Sequence, residues 1–501
     1  MRKALQSVVT RVPLVPVLSG AVAALGQAPF GLWWAMLGGL SAGLFYVLCA
    51  ASAKQAALRG WLLGLGYFAA TLNWLVEPFF VDAARHAWMA PFAVFGLAGG
   101  LALFWSLAAG LAFGARTVQT RWMALAAALT GAELLRGYVL TGFPWGGPGL
   151  AWIDTPLAQI AEGVGVYGLS ALSFLASAGV ARAVQLRSPL IFAALAALSA
   201  LVFTFAMALP KPPLPDQETF LRLVQPNAPQ HQKWDPRYAQ GFVLRQLELT
   251  RAPAKDGARP DLVLWPETAV PYRLGDTGGL GKAMAEAGQG APILFGAQRG
   301  EGARFFNSLA LASPDGKLTP VYDKNHLVPF GEYVPFGDQL AGLGMTAFAA
   351  QLGRGYSAGK GAEVVDLGKA GKVLPLICYE AVFPQDLRAA PERADWILHA
   401  TNDAWFGDFS GPQQHLVQAR FRAIEFGLPV IRVANTGVSA VIDAYGEIGQ
   451  SLPLGQSGKI DTKIPGKRAA TPYSRHGDLP LTVLVLVALG VFVARRRGKS
   501  I

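Results

Sequence analysis

Seven apolar stretches crowd the first 210 positions, each close to the roughly 20 residues that cross a bilayer. They fall near 12–28, 30–51, 58–77, 88–114, 120–137, 164–184 and 188–209, and an eighth runs from about 479 to 494. A chain patterned this way cannot fold as one water-soluble globule. In hydrocarbon each segment must satisfy its own backbone N–H and C=O groups, which makes these stretches helices. Charge agrees: only 15% of the 501 residues are charged, against about 25% in soluble domains. The first span runs straight into further spans, so it reads as an uncleaved helix rather than a secretory signal.

The net charge of +11 invites a nucleic-acid reading, and the placement of the charges excludes it. Arg2, Lys3 and Arg11 precede the first span. Lys54 and Arg59, then Arg116 and Arg121, then Arg182 and Arg187 lie in alternate loops, and Arg495, Arg496, Arg497 and Lys499 follow the last span. The opposite short loops carry little beyond Arg85 and Arg136. This is a topology signal rather than a phosphate-binding face. It predicts cytoplasmic termini, with residues 210–478 on the far side, periplasmic in a bacterium. Asn73, Glu77, Glu133 and Arg136 sit near span ends, where snorkelling or a Glu133–Arg136 pair one turn apart would accommodate them. The turn Gly142-Phe143-Pro144-Trp145-Gly146 is expected at the interface, as a floor for a lipid site.

Four organisational units follow: a seven-helix membrane domain (1–210), a stiff Pro-rich linker (211–217), a domain at 218–470 and a C-terminal membrane helix (479–494). The third has a mixed α/β pattern. Short β-rich runs at 220–224, 262–265, 293–295, 308–312, 318–322, 373–378, 396–399, 430–434 and 439–442 alternate with helix or loop. Pro314-Asp315-Gly316-Lys317 reads as a hairpin turn, and 412–427 as a helix.

Three chemically able side chains each follow an apolar, strand-like run: Glu267 after Val263-Leu264-Trp265-Pro266, Lys324 after Val321-Tyr322-Asp323, and Cys378 after Leu374-Pro375-Leu376-Ile377. A carboxylate, an ammonium and a thiol gathered at strand ends make a kit for acyl transfer through a thioester. The carboxylate takes the thiol proton, and the ammonium, with a backbone N–H such as that of Tyr379, faces the oxyanion. Taken singly, each has a bland reading as a turn carboxylate, a solvated lysine or a core cysteine. The second cysteine, Cys49, lies in an apolar run and reads as a small core residue. No CxxC or HExxH occurs and the six histidines are scattered, so no metal site is expected.

Trp265-Pro266-Glu267, the run from Tyr322 to Pro335 and Ile377-Cys378-Tyr379-Glu380 resemble the Glu-Lys-Cys signature of the nitrilase superfamily. Asn402-Asp403-Ala404-Trp405-Phe406-Gly407 and Asn435-Thr436-Gly437 extend the likeness, and the spans point to a membrane-bound branch of that superfamily. The resemblance implies an αββα sandwich on a membrane base. It implies an acyltransferase that moves a chain from phospholipid, typically phosphatidylethanolamine, to the α-amine of a diacylglyceryl-cysteine at a lipoprotein's N-terminus. Carried over by motif, Glu267 is the base, Lys324 the oxyanion stabiliser and Cys378 the nucleophile. Glu332 supports the lysine or the intermediate, Tyr379 and Glu380 shape the thiol's surroundings, and Trp234 stands near the substrate entrance. The expectation is a monomer in the bacterial inner membrane, with no cofactor and no nucleic-acid partner.

Two other readings compete. In a membrane-anchored amidase, water would resolve the thioester, though such an enzyme would not need the elaborate membrane domain. In a transporter, ionisable residues or broken helices would be expected at mid-depth, where these spans carry almost no charge. Residues 335–360, rich in Gly, Ala, Leu and Phe, read either as a mobile apolar lid or as a packed loop.

Overall fold

The computed structural model describes residues 14–115, 117–254, 257–275, 278–335 and 355–497. The apolar residues Leu340, Leu343, Met345, Phe348 and Leu352 of the expected lid lie outside the described residues. Two compact units emerge. One comprises residues 1–211, 409–417 and 471–501, and the other residues 212–408 and 418–470.

The first unit is helical. Its main helices are α1 (Leu14–Ala24), α2 (Trp33–Leu48), α3 (Ala53–Thr71), α4 (Ala90–Phe113), α5 (Val118–Tyr138), α6 (Ala161–Leu186) and α7 (Pro189–Ala208). Among the described residues, the stretches Ala83–Phe113, Pro156–Leu186 and Pro189–Ala208 are by themselves long and apolar enough to span a bilayer. Leu14–Ala24, Trp33–Leu48 and Leu479–Val491 are shorter apolar helices among the described residues, and α3 and α5 carry charged residues. Small residues let helices meet backbone to backbone: a Cβ on Gly20 would lie 2.1 Å from the Leu63 carbonyl oxygen, and one on Gly66 2.0 Å from that of Val17. Large apolar side chains point outward instead, with Phe92 74% and Leu190 81% exposed. In water such a surface would aggregate; in a bilayer it is the lipid face.

Several charged and aromatic groups inside this unit are partnered. Glu133 and Arg136 are fully buried and paired at 2.5 Å, so the pair accounts for them rather than snorkelling. The Trp105 indole donates to Glu133 at 2.8 Å. Arg136 donates to the carbonyls of Phe143 and Trp145, which fixes the 142–147 turn. Trp145 is fully buried, stacks on His415 at 5.4 Å and donates to Gln414 at 2.7 Å. The Trp145 indole of the expected interfacial turn is thus packed inside, with its N–H satisfied. Cys49 is half-buried at the end of α2, not in the core, and its sulfur accepts from Gln185 at 3.4 Å.

The second unit holds two sheets. The first runs β13-β1-β2-β4-β5-β6, with β3 (Arg273–Leu274) on β4. Its strands are β1 (Phe220–Gln225), β2 (Leu262–Leu264), β4 (Ile293–Glu301), β5 (Arg304–Ala312), β6 (Leu318–Asp323) and β13 (Gly458–Lys463). The second runs β12-β11-β10-β9-β8-β7, from β7 (Val365–Asp366), β8 (Lys372–Ile377), β9 (Trp396–Thr401), β10 (Val430–Ala434), β11 (Ser439–Ile442) and β12 (Ile448–Leu452). Each sheet has three parallel strands at its heart, β1-β2-β4 and β8-β9-β10, continued by antiparallel neighbours. The β5–β6 hairpin turns where expected, with Gly316 at φ +86° and Ser313 N–H bonded to the Lys317 carbonyl at 3.0 Å. Pro375 is tolerated within β8 because β7 pairs only with Lys372 and Val373.

Helices α8 (Pro236–Arg251) and α9 (Leu280–Gly288) cover the outer face of the first sheet. Val243, Leu247 and Met284 close there over Val263, Trp265 and Phe295. On the inner side the sheets meet through Gln225, whose side-chain oxygen accepts from Ser439 Oγ at 2.6 Å and its backbone N–H at 3.0 Å. Stacking the sheets this way brings the ends of β2, β6 and β8 together.

Candidate active site

Glu267 lies three residues beyond β2, Lys324 directly after β6 and Cys378 directly after β8. All three, with Glu332, are buried. Lys324 Nζ is 2.9 Å from Glu332 Oε2 and 3.6 Å from Glu267 Oε1. Burial alone would lower this ammonium's pKa, but the carboxylates of Glu332 and Glu267 outweigh it and hold the group above its ordinary value. The lysine is thus a fixed cation rather than a base.

Cys378 takes φ +52°, a left-handed conformation that costs a non-glycine residue strain. The chain turns there from β8 into a short 3₁₀ helix, Cys378–Val382. Burial pushes the thiol far above its ordinary range and the negative Glu267 adds to this; Lys324 and a hydrogen bond with Thr401 pull the other way without prevailing. The resting sulfur is therefore a neutral thiol that feels both a carboxylate and an ammonium. Its proton must leave as attack proceeds, and Glu267 and Lys324 are the charged groups whose fields the sulfur feels most.

The supporting residues divide by role. Glu332 accepts from Lys324 and from the Val328 N–H at 2.9 Å, tying the lysine to its own following loop. Glu380 acts on backbone, not on sulfur. One of its oxygens accepts from Tyr322 Oη (2.8 Å) and from the N–H groups of Asn325 (2.7 Å) and His326 (3.1 Å). The other accepts from the Ile377 N–H at 2.7 Å. It thereby joins the lysine segment to the nucleophile turn. Tyr379 is buried, with its ring edge-on to Phe383 and His326. Trp234 is half-buried, beside Lys233.

Several site residues escape the reading of the sequence. Asn307 on β5 donates through Nδ2 to both Glu267 Oε1 (2.7 Å) and Glu332 Oε1 (3.1 Å), and its carbonyl accepts the Lys324 N–H at 2.8 Å. The available signal is an amide inside the apolar run Phe305-Phe306-Asn307, since a buried polar group demands partners. Gly296 on β4 supports the Glu267 turn: a Cβ there would lie 2.3 Å from Thr268 N and 2.6 Å from Pro266 O. Lys233, buried, donates to the Glu267 carbonyl at 3.2 Å and to Thr268 Oγ1 at 2.8 Å. Among the described residues, no group of three or more His, Cys, Asp or Glu side chains could hold a metal ion.

Comparison with known proteins identifies the family. Residues 19–179 match the apolipoprotein N-acyltransferase N-terminal domain, and residues 221–473 match the carbon-nitrogen hydrolase family. The apolipoprotein N-acyltransferase of Caulobacter vibrioides is 40% identical over 97% of this chain and 94% of its own length. That of Rhodopseudomonas palustris is 36% identical over 97% and 95%. Among solved structures, a CN-hydrolase superfamily protein from Xanthomonas campestris is 23% identical with a TM-score of 0.35, over 53% of this chain and 96% of that one. With a membrane-helix region and a hydrolase-type region matched in tandem across nearly its full length, the chain belongs to the apolipoprotein N-acyltransferase family.

Proposed function

We propose that the chain carries an acyl group from a membrane phospholipid, typically phosphatidylethanolamine, on Cys378 and passes it to the α-amine of a lipoprotein's N-terminal diacylglyceryl-cysteine. The observation that carries this reading is a buried, strained thiol lying in the fields of Glu267 and Lys324, in a chain that also holds helices long and apolar enough to cross a bilayer. Cys378 Sγ attacks the donor ester carbonyl while its proton passes to Glu267. The developing oxyanion faces the Lys324 ammonium. Collapse breaks the ester C–O bond, and Glu267 returns the proton to the departing lysophospholipid alcohol. The acceptor amine then attacks the thioester, Glu267 takes the amine proton, and collapse of the second intermediate breaks the C–S bond, with that proton restoring the thiol. Each half-reaction needs one carboxylate and one fixed cation, so one site serves both.

The spacing of Lys and Arg supports cytoplasmic termini, a periplasmic catalytic unit and an inner-membrane location. The enzyme works as a monomer in this reading, and Trp234 stands at the substrate entrance. Intact-mass analysis of the full chain with phosphatidylethanolamine tests the reading. An acyl adduct is expected on wild-type protein, absent from Cys378→Ala, and discharged by a diacylated lipopeptide far faster than by water. No adduct would overturn it, and discharge by water at the lipopeptide's rate would select the amidase alternative.

A further inference from the structure

We infer that Lys233 is a positioning residue for acyl loading: it clamps the turn that carries Glu267 and keeps a second buried cation beside the thiol. The inference rests on the acyl-transfer reading above and adds a residue to it.

Lys233 ends the short helix Gln230–Lys233, and its side chain runs inward to a 94%-buried position. Its ammonium donates to the Glu267 carbonyl at 3.2 Å and to Thr268 Oγ1 at 2.8 Å. Thr268 is itself held at φ +44°, so the clamp falls on a strained turn directly after the base. That turn is pinned on its other side by Gly296, whose N–H bonds the Pro266 carbonyl at 3.0 Å. Glu267 is therefore flanked by two ammonium groups. Lys324 addresses its carboxylate, and Lys233 addresses its backbone.

A lysine is an expensive choice for a merely structural hydrogen bond in such a place. The titratable groups it faces are Glu267, after β2, and Cys378, after β8; the side chains of Phe242, Gln246 and Asn435 that share its cavity are neutral. Burial lowers its pKa to about 8, against the opposing pull of Glu267 and Cys378. It is cationic below that pH and neutral above it. The cationic form favours the thiolate character that grows on Cys378 during attack and the ionised state of Glu267 that starts it. Loading should therefore fall as pH rises through about 8. Cys378 and Lys324 are held above their ordinary values and do not produce that limb.

The test is single-turnover loading of the full-length enzyme by phosphatidylethanolamine, read as the acyl adduct by mass across neutral to alkaline pH. Wild type should lose rate with a midpoint near 8. Lys233→Met should load on the order of 10- to 100-fold more slowly at neutral pH, with the alkaline limb gone. Lys233→Arg, which has the adjoining cavity to expand into, should recover most of the rate and show no limb near 8. A Lys233→Met enzyme that loads like wild type, or a slow one that keeps the limb, overturns the inference. Should Lys233→Met fail to fold, the Lys233→Arg profile decides alone: a limb unchanged near 8 overturns it. Absence of any adduct on wild type would instead defeat the acyl-transfer reading itself.

Discussion

Replacing Glu332 by Gln changes the site by one oxygen, and the structure says what that oxygen does. Both carboxylate oxygens are acceptors and every partner is a donor. Oε1 accepts from Lys324 Nζ (3.0 Å) and Asn307 Nδ2 (3.1 Å). Oε2 accepts from the Val328 N–H (2.9 Å) and lies 2.9 Å from Lys324 Nζ. A glutamine keeps one acceptor and turns an NH₂ toward donors on the other side, whichever way it is flipped. At least one hydrogen bond to a charged group is lost and one donor is left facing a donor, each worth about 1.5–3 kcal/mol. The sum, about 3–6 kcal/mol, brackets the roughly 3–5 kcal/mol cost of breaking a buried ion pair. Lys324 would keep one neutral amide oxygen and the Glu267 carboxylate, now at 3.6 Å, and would move toward that remaining charge. If most of that energy is expressed in the transition state, acyl loading slows on the order of 10²–10³-fold. The assay is the rate of adduct formation on Cys378, with thermal unfolding of the same preparation as the control for folding. A Glu332→Gln enzyme that is well folded and loads within about threefold of wild type, under 1 kcal/mol in barrier, would refute the account of Lys324 as a cation held off Glu267 by Glu332.

Two further outcomes follow from the packing around the site. Gly296→Ala places a methyl 2.3 Å from Thr268 N and forces the Glu267 turn off the sheet; about 1–3 kcal/mol of stability should be lost, and loading should fall more than melting predicts, as comparison of the two measurements would show. Glu380→Gln leaves an NH₂ facing either the Ile377 N–H or the Asn325, His326 and Tyr322 donors. It should cost about 1–3 kcal/mol in denaturant unfolding of the catalytic unit, with a smaller effect on loading than Glu332→Gln because Glu380 touches no reacting atom.

What was legible in the sequence is what local pattern encodes. Apolar length marks α4, α6 and α7 as membrane helices, and strand-like runs ending in Glu267, Lys324 and Cys378 mark three strand ends. The Lys-centred motif also carries Glu332, eight residues on, within reach of its partner. What was not legible depends on partners far apart in the chain. Asn307 matters because β5 pairs beside β4 and reaches a carboxylate 40 residues away. Gly296 matters because the Glu267 turn lies on it, and Lys233 because its helix end points to that same turn. Glu380 shows the intermediate case: the motif flags the residue, but only the fold reveals that it holds backbone on two segments rather than the sulfur. Trp145 is similar: the sequence marks an aromatic turn, but only the fold shows that its indole donates to Gln414, 269 residues away.

In the proposed mechanism the three central groups do not by themselves distinguish an amine from water as the second nucleophile, since a carboxylate base would serve either. At neutral pH most of an α-amine is protonated, with a pKa near 8, and bulk water is present at about 55 M. Held in attack geometry, however, a bound nucleophile reaches effective molarities of about 10⁵–10⁸ M. Even with only about a tenth of it unprotonated, a seated amine exceeds water by roughly two orders of magnitude or more. The buried setting of Cys378, Glu267 and Lys324 widens that margin by limiting the water that reaches the thioester. Selection for transfer over hydrolysis therefore needs no additional catalytic group. It needs an acceptor anchored beside the thiol long enough to lose its proton, which a lipid-anchored N-terminus in the same bilayer as the enzyme supplies.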